Sequence, residues 1–124
     1  MSTLTARKRC LIADDQQSDP SLQGDVEAAG FDVIGPFSSS SFALDWLEDH
    51  TTDLAVIDPA LDEETGSSLV LALRSRGVPI VVYSDSVRQP EGPAELRSVP
   101  WFEKATARGD LLSALSYLQT TALP

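Results

Sequence analysis

The chain has 124 residues, 42% hydrophobic and 23% charged, enough for one domain to bury its own core. Nineteen acidic residues against nine basic ones give a net charge of −10, a surface that repels a phosphate backbone and argues against nucleic acid as a partner. No apolar run has the length of a membrane span or signal peptide, so no membrane association and a cytoplasmic location are expected, and the single cysteine, Cys10, allows neither an intrachain disulfide nor a cysteine metal cluster.

Taken in order, Cys10-Leu11-Ile12-Ala13 reads as a short apolar strand that ends on two acids, Asp14-Asp15. Asp19 as N-cap and Pro20 at the first helical position predict a helix with Leu22, Val26 and Ala29 on one face and Gly30 as its stop. Gly24 in its interior weakens it by about 1 kcal/mol relative to alanine. Phe31 to Ile34 forms a second strand, cut by Gly35-Pro36. The serine run Ser38 to Ser41 caps a second helix, whose apolar face is Phe42, Ala43, Trp46 and Leu47 and which ends near His50. Leu54 to Ile57 is a third strand, apolar and β-branched, ending on Asp58 before Pro59.

A polar loop from Asp62 to Ser68 follows, and Ser67 or Ser68 caps a third helix through Leu69, Leu73 and Arg76, stopped by Gly77. Val78 to Tyr83 is a fourth strand, apolar throughout. Proline and glycine punctuate Ser84 to Pro100, which holds at most a short helix from Ala94 to Ser98. Trp101-Phe102 starts a fifth strand that stops at Glu103-Lys104, and Thr106 caps a last helix with Leu111, Ala114, Leu115 and Leu118 on its face. Strands alternating with helices every ~25 residues predict a parallel sheet covered by helices, because parallel strands need crossovers and right-handed ones pack a helix back on the sheet.

In such a sheet the carboxyl ends of the strands share one edge, where α/β folds keep their ligands. That edge collects Asp14-Asp15, Asp58, Ser84 and Lys104. Taken singly each has a plain reading: a solvated strand exit, a turn residue before proline, a loop hydroxyl, a surface charge. Taken together, two acids after strand one, one after strand three, a hydroxyl after strand four and a lysine after strand five resemble the receiver domain of two-component response regulators. The resemblance runs from about Arg9 to Leu118, with Gly30-Phe31-Asp32-Val33-Ile34-Gly35-Pro36, Ala43-Leu44 and Leu61 as further echoes.

The resemblance implies an α/β fold of three layers, α/β/α, around a flavodoxin-like five-stranded parallel sheet of order 2-1-3-4-5, with the helix before the fifth strand short or disordered. It implies a stand-alone receiver domain over residues 1–124, core about 8–120, without an output domain. Asp58 would accept a phosphoryl group from a sensor histidine kinase or a histidine phosphotransfer protein. Asp14, Asp15, Asp58 and the backbone carbonyl of Ala60 would hold Mg²⁺ or Mn²⁺. Lys104 and Ser84 would bind the phosphoryl oxygens, and Trp101 would switch the partner surface, though strand-five aromatics also serve as core. Such a protein is a phosphoacceptor rather than an enzyme, acts by docking on a downstream target, and is a monomer or weak dimer.

The sequence departs from the family's pattern at Ala105, where proline usually follows the lysine, and at Asp85, where a small residue usually follows the hydroxyl. It also resembles a subgroup of single-domain receivers whose fourth strand ends Phe-Ala-Thr-Gly, here Val82-Tyr83-Ser84-Asp85. These departures leave open a receiver-like interaction module that binds without phosphorylation. An aspartate-nucleophile phosphatase needs a second acid where Ala60 stands, and a dinucleotide site needs a glycine-rich loop where Asp14-Asp15 stands. His50, in a polar loop, reads as solvated, neither ligand nor phosphoryl donor.

Overall fold

Strands buried on both faces read as near-continuous apolar runs, and three strands of this chain carry such a run. In the computed structural model, which describes residues 8–14, 21–58, 66–84, 99–104 and 108–121, they are β1 (Lys8–Ala13), β3 (Leu54–Ile57) and β4 (Ile80–Ser84). Every residue of β3 and β4 is buried, as are the last four of β1. With β2 (Phe31–Phe37) and β5 (Trp101–Glu103) they form one parallel sheet of order β2-β1-β3-β4-β5, as the resemblance implied. β1 and β3, at the centre, are paired on both sides.

Because side chains alternate across a strand, each central strand feeds two cores. Leu11, Ala13, Ala55, Ile57, Ile80 and Val82 point to one face, where α2 (Ser40–Asp49) adds Ala43 and Leu47 and α3 (Gly66–Ser75) adds Leu69, Val70 and Leu73. Cys10, Ile12, Leu54, Val56, Val81 and Tyr83 point to the other, against Leu22 and Val26 of α1 (Ser21–Ala28) and Leu111 and Leu115 of α4 (Arg108–Thr121). Right-handed crossovers require this division. The chain steps one way from β1 to β2 and the other way from β2 onward, which sends the helices to opposite faces.

Local chemistry sets most boundaries. The Ser39 hydroxyl accepts from the Phe42 N–H at 3.2 Å and caps α2, as expected of the serine run. Gly30 and Gly77 end their helices at positive φ, which costs a residue without Cβ little. His50 follows α2, exposed, with its ring stacked on Trp46 and Nδ1 2.9 Å from the Trp46 carbonyl. Among the described residues no helix is long and apolar enough to cross a membrane.

Four local expectations are corrected. β2 is not cut at Gly35-Pro36 but continues to Phe37, because Gly35, at φ +101°, takes a bulge that carries the strand onward through a cis peptide to Pro36. α3 begins at Gly66, so Ser67 and Ser68 lie within its first turn instead of preceding it. β4 begins at Ile80 and includes Ser84. Phe42, placed on the apolar face of α2, is 60% exposed, since it stands about 100° round the helix from Ala43 and about 140° from Leu47. The N-cap at Asp19, the cap at Thr106 and the short helix between the fourth and fifth strands lie outside the described residues.

Candidate functional site

The carboxyl edge of the sheet is built by backbone bonds that outlast the strands by one residue. The Asp14 N–H donates to the Phe37 carbonyl at 3.0 Å, the Asp58 N–H to the Ala13 carbonyl at 2.9 Å, and the Lys104 N–H to the Ser84 carbonyl at 2.8 Å. Each of the three residues thus leaves its strand with its amide still fixed to the neighbouring strand, and their side chains emerge at one place. The bulge in β2 matters here, because it brings the Phe37 carbonyl level with Asp14. A Cβ on Gly35 would stand 2.8 Å from the Ile12 carbonyl oxygen and 2.7 Å from the Phe37 nitrogen, so the bulge needs glycine.

The three side chains meet. Lys104 Nζ donates to Asp58 Oδ2 and to Asp14 Oδ1, each at 2.9 Å. All three are sheltered from solvent, with side-chain exposure of 3% for Asp58, 8% for Asp14 and 9% for Lys104. Burial opposes the charge on Lys104, but its hydrogen bonds to Asp58 and Asp14, and the charges of those two acids, outweigh burial and raise its pKa above the ordinary lysine value. The result is an ammonium kept charged at the mouth of an acidic pair, inside a protein whose net charge is −10.

Ser84 ends β4 on the same edge and is 2% exposed. Trp101 opens β5, partly buried and packed on the α2–α3 core, so its side chain is a core contact. Asp15 and Ala60, the remaining expected metal ligands, lie outside the described residues, as do Asp85 and Ala105. Cys10 is buried, and burial pushes its thiol up to about 12, the behaviour of an inert core residue.

One cluster was not anticipated from the sequence. The Tyr83 side chain is 1% exposed on the α1–α4 face, and its hydroxyl accepts from Arg108 Nε at 2.7 Å. Arg108 also pairs with Asp25 of α1 at 2.6 Å and reaches the Ser21 hydroxyl at 3.4 Å. The available signal was Arg108 itself, a cation in the first turn of a helix, where the macrodipole opposes positive charge.

Two carboxylates around a shared cation are hard oxygen donors of the kind Mg²⁺ takes, and their convergence on one nitrogen shows that they accept a cation between them. Among the described residues no three His, Cys, Asp or Glu side chains gather as a metal cage.

No protein-family model matches this sequence, and no curated protein matches it. Solved structures do. The chain is similar to a CheY-like response regulator receiver domain from Methanospirillum hungatei, with a TM-score of 0.79 and 21% identity over 94% of this chain and 96% of that one. It is similar to the receiver domain of a Francisella response regulator, TM-score 0.73 and 20% identity over 94% and 99%. It is also similar to a sensor protein from a Polaromonas species, TM-score 0.76 and 27% identity over 95% and 100%. The fold is that of a receiver domain.

Proposed function

We propose that the chain is a response-regulator receiver that accepts a phosphoryl group on Asp58. The observation that carries this reading is the buried Asp58 carboxylate at the end of β3, sharing the Lys104 ammonium with Asp14. A carboxylate approaching an anionic donor is repelled unless positive charge lies beside it, and Lys104 supplies that charge where phosphoryl oxygens would arrive. The Asp58 oxygen attacks phosphorus in line. The P–N bond of a phosphohistidine, or the P–O bond of acetyl phosphate, breaks, and imidazole or acetate departs from the new acyl phosphate. Lys104 then faces the transferred oxygens as a point charge, and the Ser84 hydroxyl donates to one of them.

Asp14, Asp15, Asp58 and the Ala60 carbonyl would hold Mg²⁺ or Mn²⁺, which neutralises phosphoryl charge when bound. The donor is a histidine kinase or a histidine phosphotransfer protein. Trp101 couples the phosphoryl state to the surface that a downstream protein reads, by a population shift. On this reading the chain acts as a signalling relay, with no turnover beyond its own phosphorylation and dephosphorylation.

Incubation with Mg²⁺ and acetyl phosphate, followed by intact mass, tests the proposal. One added phosphoryl group, absent without Mg²⁺ and absent in Asp58→Asn, is the expected result. No adduct, with beryllium fluoride also failing to bind, would leave the phosphorylation-independent interaction module.

A further inference from the structure

Lys104 stands just past a strand of three residues, and the residue after it, Ala105, has no ring to fix the backbone. Its ammonium nevertheless has to reach two carboxylates at once. Among the described residues its backbone is restrained by consecutive residues of β4. The Lys104 N–H is taken by the Ser84 carbonyl at 2.8 Å, and the Lys104 carbonyl lies 3.5 Å from the Tyr83 hydroxyl, which donates to it. The Lys104 ammonium also stands 6.0 Å from the Tyr83 ring centroid.

The Tyr83 hydroxyl is itself directed. Arg108 Nε donates to its oxygen at 2.7 Å, which leaves the hydroxyl proton for an acceptor, and among the described residues the Lys104 carbonyl is an acceptor within reach. Arg108 to Tyr83 to Lys104 is a chain in which each bond polarises the next in the same sense. Arg108 is anchored in turn by Asp25, and its guanidinium carbon lies 5.4 Å from the Tyr83 ring centroid. A buried tyrosine on an otherwise apolar face, paired with a cation against the helix dipole, needs more explanation than packing, because phenylalanine would fill the space without a polar tip.

We propose that Tyr83 is the positioning residue for Lys104: its hydroxyl, oriented by Arg108, holds the Lys104 carbonyl while Ser84 holds the N–H, and the two bonds together aim the ammonium at Asp58 and Asp14. The inference deepens the phosphoacceptor reading, and its kinetic arm rests on that reading. Its spectroscopic arm does not.

Tyr83→Phe removes the hydroxyl alone, and Arg108→Met removes its director while keeping the ring. The ¹⁵N resonance of the Lys104 ammonium, visible when the group is held and hydrogen-bonded, is followed in the whole protein, with Leu115 methyl signals as the check on folding. In both variants the ammonium signal broadens to loss while the Leu115 methyls stay in place, and the initial rate of adduct formation from acetyl phosphate falls on the order of ten-fold. If Tyr83→Phe does not fold, Arg108→Met decides alone. An ammonium signal absent from the wild type, or unchanged in the variants whatever the rate does, overturns the proposal. A signal lost in the variants of a protein that forms no adduct even as wild type keeps the positioning role and sinks the phosphoacceptor reading instead.

Discussion

At the amino end of the sheet, Arg9 and Asp53 meet across the starts of β1 and β3. The Arg9 N–H donates to the Asp53 carboxylate at 2.8 Å, the Asp53 N–H returns a bond to the Arg9 carbonyl at 3.0 Å, and the Arg9 guanidinium reaches the Thr51 carbonyl at 3.1 Å. At the carboxyl end, Lys104 meets Asp14 and Asp58. Both ends use a cation and aspartates near the limits of the same strands, yet they differ in solvent. The Arg9–Asp53 bonds are exposed and satisfy backbone groups that the ladder leaves over, whereas the Lys104 cluster is buried nearly completely and bonds side chain to side chain. Exposed pairs are cheap and nearly neutral; buried ones carry a desolvation cost that a fold without chemical use for them avoids. Solvent exposure therefore separates the amino end of this sheet from the carboxyl end, where the proposed chemistry would take place.

That contrast predicts a graded series. Asp58→Asn has the largest effect: adduct formation vanishes in the intact-mass assay, whereas Asp53→Ala leaves it at the wild-type level. Lys104→Met comes next. It leaves two sheltered carboxylates facing each other, and urea unfolding should show a loss of about 3 kcal/mol, partly restored by Mg²⁺. The same variant isolates a pH dependence. The folded state raises the Lys104 pKa, so its contribution is complete below the ordinary lysine value of 10.5 and disappears as pH rises through the folded value. Wild-type stability should therefore fall more steeply above pH ~10.5 than that of Lys104→Met. Cys10, raised from 9.0 to about 12, lowers stability in the same direction across that window in both proteins and cancels in the difference.

Gly35→Ala probes the backbone that carries Asp14. The positive φ and the contacts a Cβ would make with Ile12 and Phe37 should cost about 1–3 kcal/mol in thermal or urea unfolding, against a gain of ~0.5–1 kcal/mol for Gly24→Ala, where nothing lies within 4 Å. Asp53→Ala has the smallest effect, a loss of about 1 kcal/mol or less by the same measurement. An Asp53→Ala loss equal to that of Lys104→Met would break the comparison.

The sequence makes the central architecture readable because parallel strands have no polar face. Leu54 to Ile57 and the run through Tyr83 allow no other placement, and strand ends then put Asp14, Asp58, Ser84 and Lys104 on one edge. The continuation of β2 through Gly35-Pro36 was hidden, since a dipeptide that usually marks a turn here serves a bulge whose reason is the Ile12 carbonyl on another strand. The Tyr83–Arg108–Asp25 cluster was hidden for a related reason. Its members are 25 and 83 residues apart in sequence, and nothing local in Tyr83 distinguishes a core tyrosine from one that holds a lysine. Local pattern gives the elements, whereas contacts between distant segments give the fine aim of the side chains.

The strand order also constrains how the molecule can assemble. β1 pairs with β2 on one side and β3 on the other, while β4 and β5 can attach only outward from β3. The first partner of β1 closes a loop that ends at Phe31; the second must wait for Leu54, and β5 for Trp101. In chain order β2 and β3 thus flank β1 on opposite sides, and only β4 and β5 each pair with the strand just before them. Lys104 follows β5, which is separated from β1 by β3 and β4, so its contact with Asp14 and Asp58 requires the β1–β3, β3–β4 and β4–β5 pairings together.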